Sequence, residues 1–157
     1  MVNNDDFYNG IKEEIAKQLK AYFTGTNECT INYVRKNIAT ANITKPIIRF
    51  YLIDATKDPD TRGDRDLGTW SSGQRKGSFH YLSFGLLVTC NNNIGGEKKR
   101  DTISALLHKF AYANRRTFGQ ANIKDFDISS AKEVMTDPNL YENLHMMTCK
   151  YLFYNEV

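Results

Sequence analysis

Few residues in this chain combine the type and the spacing that chemistry demands. Gly68-Thr69-Trp70-Ser71-Ser72-Gly73 has the glycine spacing of a phosphate-binding loop. Such a loop also needs a lysine for the phosphates and a hydroxyl for magnesium directly after its second glycine. Gln74 and Arg75 stand there instead, and the segment lies between two strand-like runs rather than between a strand and a helix. His80, His108 and His145 have no carboxylate or second histidine at a metal-ligand spacing. They read as structural histidines, satisfied or half-exposed, with His80 on a core-facing strand position. Asp58, Asp60, Asp64 and Asp66 miss the calcium-loop spacing, and Arg62 and Arg65 are interleaved with them. Alternating sign of that kind keeps a loop soluble or supplies complementary contacts between subunits. With no nucleophile–base pair and no paired carboxylates, the chain is expected not to be an enzyme, and no cofactor, metal or small-molecule substrate is expected.

What remains is contact chemistry. Trp70 is a lone tryptophan in a polar stretch, flanked by Gly68, Ser71, Ser72 and Gly73. Tryptophan is the side chain most enriched where interfaces hold together. Trp70 is therefore the predicted anchor of a subunit or partner contact, with Arg62, Arg65, Arg75 and Lys76 around it. The competing reading has it folding back onto a sheet edge. Lys98-Lys99-Arg100 opens a predicted helix, where the helix dipole prefers acids. That mismatch makes the three a second predicted contact patch, for an acidic neighbour or a phosphate backbone.

The elements that must position these residues follow from periodicity. Phe7, Ile11, Ile15, Leu19 and Phe23 recur every four residues, with Tyr8, Ala16 and Tyr22 widening the stripe. They predict an amphipathic helix near 5–23, capped by Asn4 or Asp5 and ended by Gly25. Strands are expected near 29–34, 47–54 and 78–91. In the last of these, the even residues His80, Leu82, Phe84, Leu86, Val88 and Cys90 face the core. A second helix is expected near 97–115, with Ile103, Leu106, Leu107 and Phe110 on one face, followed by strands near 123–135 and 144–154 turning at Asp137-Pro138-Asn139. The order predicts an α+β fold: a mixed or antiparallel sheet of about five strands with two helices on one face. Residues 55–77 read as a long loop between two strands, and a loop of that length is functional or disordered as a rule.

Composition bounds the rest. A chain of 157 residues is expected to form a single domain over 1–157. Net charge is +3, too small to imply a polyanion partner. Residues 95–116 carry six basic and two acidic side chains, and residues 117–157 carry three and six. That asymmetry suits head-to-side packing of copies. Cys29, Cys90 and Cys149 are odd in number and share no metal spacing, so buried free thiols and a reduced origin are expected. No apolar run reaches membrane-span length and the first residues form no signal peptide; a soluble protein made in a cytoplasm is expected.

The order of elements, with Phe84-Gly85-Leu86-Leu87-Val88-Thr89-Cys90 followed by Gly95-Gly96 and a helix from Glu97 to Arg115, resembles the tail terminator proteins of long-tailed bacteriophages. The resemblance implies a structural virion protein at the head–tail interface, made in the host cytoplasm. It implies a homo-oligomer, a hexameric ring, seated on the tail tube protein, stopping tube growth and receiving the head-completion or connector protein. Nucleic acid would at most pass through the ring lumen, and no membrane is involved. The alternative is a nucleic-acid-binding accessory domain, favoured by a pI near 8.7 and by the basic segment 95–116. Against it, the aromatics recur at core spacings rather than interleaving with basic residues as stacking platforms do.

Overall fold

The computed structural model describes residues 6–33, 43–57, 65–70, 73–116, 118, 122–135 and 137–156, with the backbone course alone for 65–70, 73–76 and 154–156. In chain order the elements are α1 (Phe7–Tyr22), β1 (Thr30–Asn32), β2 (Ile47–Lys57), β3 (Arg65–Trp70), β4 (Gly73–Asn91), α2 (Gly96–Ala113), β5 (Ile123–Val134) and β6 (Leu140–Glu156). The sheet runs β1-β2-β4-β6-β5, with β3 also on β4. β1 lies parallel to β2 and every other pairing is antiparallel. The expected mixed α+β sheet is present, with β3 as an addition to the five strands of the main path.

Both helices lie on one face. Phe7 of α1 stacks on Tyr151 of β6, centroids 4.9 Å apart and planes 5° from parallel. Ser104 of α2 meets His145 of the same strand at 3.2 Å. Positions 145 and 151 differ by an even number, so they share one face of the strand. Ile11, Ile15 and Leu19 of α1, Ile103, Leu107 and Phe110 of α2, and Leu82, Phe84, Leu86 and Val88 of β4 form one continuous core. Each such side chain contributes about 1.5–3 kcal/mol by leaving water, which is why the four-residue stripe and the period-two strand were readable. Tyr8 and Tyr22, expected to widen the first stripe, are exposed instead, and Ala16 alone of the three is buried. The flanking residue at the start of α1 is Asp6, whose carboxylate accepts from Asn9 Nδ2; Asn4 and Asp5 lie outside the described residues. The expected turn at Asp137 is present, with the Asn139 N–H donating to Asp137 Oδ1 at 2.8 Å and the Leu140 N–H to its carbonyl.

The segment 55–77 differs from expectation. β2 continues to Lys57, β3 occupies Arg65–Trp70, and β4 begins at Gly73, five residues ahead of the expected Ser78. β2 and β3 follow one another along the same edge of β4, since β2 pairs with His80 to Thr89 and β3 with Gly73 to Gly77. Only the two residues 71–72 separate Trp70 from its partner Gly73. Much of the expected loop is therefore a hairpin arm, with β6 beside it as far as Arg75↔Glu156. The pairing uses backbone groups, which any residue but proline supplies, so the absence of an apolar alternation in 65–76 concealed it.

Candidate functional site

The helices cover one face of the sheet and leave much of the other bare. Across it run Arg49, Tyr51 and Ile53 of β2, Tyr81, Ser83, Gly85 and Leu87 of β4, and Leu144, Met146, Thr148 and Lys150 of β6. Tyr51, Ile53 and Tyr81 are 41%, 46% and 45% exposed. Tyr51 lies directly opposite Gly85, and its ring rests on the glycine: a Cβ there would come within 2.8 Å of Tyr51 Cζ. The missing side chain at position 85 thus gives the tyrosine a flat seat. At one end the face closes over a buried carboxylate. Glu142, 2% exposed, accepts from Thr89 Oγ1 at 2.9 Å and from Arg49 at 3.3 Å.

The residues predicted for contacts are scattered. Arg62 lies outside the described residues. The backbones of Arg65 and Trp70 are in β3, and those of Arg75 and Lys76 in β4, opposite β3. The hairpin therefore brings Arg65, Trp70, Arg75 and Lys76 onto one arm, but it does not bring them to Lys98-Lys99-Arg100. That second patch dissolves. Arg100 is only 3% exposed; its guanidinium donates to Glu133 Oε1 at 2.8 Å and to Asp101 Oδ1 at 2.9 Å, and approaches Glu97 at 3.5 Å. Arg100 ties α2 to β5 inside the subunit and is no surface contact. Lys99 donates to the Thr26 carbonyl at 2.6 Å and to Asn27 Oδ1 at 3.1 Å, closing the turn after α1. Lys98 alone of the three is exposed with no ion pair among the described residues. A helix start that violates the dipole preference here reports internal pairing.

Comparison with known proteins separates sequence from fold. No protein-family profile matches the chain, and no curated protein matches it significantly. Among solved structures it is similar to the sheath/tube terminator of an extracellular contractile injection system, PVC, determined by cryo-EM in the extended state. The TM-score is 0.53 at 11% identity, over 94% of this chain and 56% of that one. The fold is similar to that of a tube terminator. This chain spans about half the length of that neighbour, and at such identity the likeness is one of fold alone.

Tyr51, Ile53 and Tyr81, large apolar residues exposed on this face, carry no periodicity that marks them in the sequence. Gly85 inside an apolar strand was the available signal, because glycine there marks a close approach. The histidines divide. His80 is half-buried beside Phe7 and Phe153. His108 is exposed on α2, with its ring 5.2 Å from that of His145. His145 is fully buried; Nε2 meets Ser104 Oγ, which also accepts from Asn143 Nδ2 at 2.9 Å, and Nδ1 has no partner among the described residues. It is thus buried but only half satisfied. All three cysteines are buried free thiols. Burial pushes Cys29 and Cys149 up to about 12 and Cys90 up to about 11. Thiolates are the reactive form, so iodoacetamide at pH 8 is expected to label none of them in the folded protein and all three in urea. Mass spectrometry showing rapid native labelling at any one would contradict the burial.

Proposed function

We propose that this protein is the terminator subunit of a tail-like tube. Copies close into a ring on the last tube ring, stop tube growth, and present a surface to the next component. The observation that carries this reading is the fold similarity to a sheath/tube terminator over 94% of the chain. The opposite net charges of residues 95–116 and 117–157 and the bare sheet face with Tyr51, Ile53 and Tyr81 support an assembly role, since exposed apolar residues in one place mark contact surfaces. In its fullest form the hypothesis is a bacteriophage tail terminator: a hexamer built by a heterologous contact, seated between tail tube protein and head connector, within the virion.

The test is light scattering and electron microscopy of the purified protein with and without assembled tail tubes, across salt. Rings, or caps at tube ends, are expected. Exposed charge attraction is screened over about 8 Å at physiological ionic strength, so rings should weaken as salt rises. A strict monomer that leaves tubes uncapped and growing would sink the hypothesis. Trp70 sits on the hairpin beside its tip, paired with Gly73. Trp70→Ala is expected to leave thermal stability nearly unchanged while weakening assembly by about 2 kcal/mol, roughly thirty-fold. If the subunit melts instead, Trp70 belongs to the core.

A further inference from the structure

Edge strand β5 departs from regular pairing between Lys124 and Asp127, and Asp125 sits there in the left-handed region at φ 53. Asp and Asn are the side-chain-bearing residues that tolerate that region best. The bulge opens a cleft of about 430 Å³ lined by Tyr81, Arg115, Arg116, Asp125, Asp127 and Lys150 among others. Three cations and two carboxylates thus share one cleft. Among the described residues none of these cations makes an ion pair with either carboxylate. Lys150 Nζ lies 4.1 Å above the Phe79 ring and 5.5 Å from that of Tyr81. Aromatic faces attract an ammonium, yet they are no true acceptor, and among the described residues its N–H donors have none. Arg115 lies 4.0 Å over the Tyr112 ring and gives one N–H to the Tyr112 carbonyl. Arg116 is exposed and has no partner among the described residues.

We propose that this cleft seats a carboxylate side chain from an acidic segment of a protein partner, with Lys150 and Arg116 as its donors. Charge complementarity selects the occupant. A half-buried ammonium lacking an acceptor gains a charge-assisted hydrogen bond when a carboxylate enters, and Arg116 offers the planar fork that carboxylates fit. Asp125 and Asp127 select against a continuous polyanion: a nucleic-acid backbone brings a phosphate at every step and sets neighbouring charges against them. A single acid flanked by neutral residues avoids that repulsion. The proposal does not rest on the terminator reading, because binding is measured on the isolated subunit.

The test is calorimetric titration at low ionic strength with an acetylated, amidated Glu–Gly repeat peptide, its Gln–Gly counterpart, and a single-stranded oligonucleotide. The Glu–Gly peptide is expected to bind and the Gln–Gly peptide not. Arg116→Gln and Lys150→Gln should each weaken binding about ten-fold, the loss of one charged hydrogen bond. Lys17→Gln on α1, exposed and outside the cleft lining, should change nothing. Arg116 is exposed, so its variant keeps the fold even if the Lys150 variant does not. Three results would each overturn the proposal: no binding at about millimolar peptide, an equal loss from Lys17→Gln, or tighter binding of the oligonucleotide through the same two residues.

Discussion

Arg100→Glu is expected to leave little folded subunit at 25 °C. The change places a buried carboxylate against Glu133, Asp101 and Glu97, which now hold the Arg100 guanidinium. Leaving a buried charge unpaired costs about 3–5 kcal/mol, and three like charges beside it add to that. Total stability of a domain is about 5–15 kcal/mol, so one residue removes much of it. Arg100→Lys keeps the charge but loses the fork that serves several carboxylates at once, and should fall between. Lys98→Glu, two positions away on the exposed side, should stay within about 0.5 kcal/mol of the parent. Urea unfolding of the three variants decides the matter; an Arg100→Glu protein within 1 kcal/mol of the parent would show that the guanidinium is not held as described. Charge reversal of Lys98, Lys99 and Arg100 together cannot serve as a probe of assembly, because its third member is structural.

Acid should destabilise the protein through His145. Burial, with His108 nearby as a second cause, lowers its pKa from 6.5 to about 4. Between those values the unfolded chain binds a proton that the folded protein refuses, so stability rises with pH across that window. The contribution is complete above about pH 6.5 and is lost as pH falls to about 4, amounting to about 3 kcal/mol for this one group. His145→Gln has no such proton to bind and can still hydrogen-bond Ser104. Stability measured by urea at pH 7 and pH 4.5 should drop more in the parent than in the variant, by about 2 kcal/mol. Equal drops would mean that His145 meets water or an acceptor on protonation.

The parts of the fold that bury apolar area were legible in the residues. The stripe of Ile11, Ile15 and Leu19 and the even positions of β4 left a period because each position has a fixed side, wet or dry. β3 left none, since its ladder to β4 is made of peptide groups common to all residues. The contact patch differs from expectation for a related reason. Lys98, Lys99 and Arg100 are adjacent in sequence, but a helix turns about 100° per residue, so the three point to different surroundings. Arg100 found Glu133, distant in sequence, and Lys99 found the turn after α1. The bare face could not be inferred from β4 alone, because its odd positions mix Tyr81 and Leu87 with Ser83 and Thr89 and give no sign of being covered or open.

The order of strands also governs how the chain reaches this state. β6 lies between β4 and β5 and pairs with β4 from Asn91↔Leu140 to Arg75↔Glu156, yet it leaves the ribosome after both of the strands it separates. Until it emerges, the nascent chain holds β4 with one edge unpaired and β5 with nothing to pair with. β6 reaches β5 through the turn at Asp137, but its ladder to β4 joins residues distant in sequence, and such high-contact-order closure is slow. Throughout that wait the open edge of β4 is a template for any other extended chain, so the interval before β6 emerges is the moment of greatest exposure to aggregation.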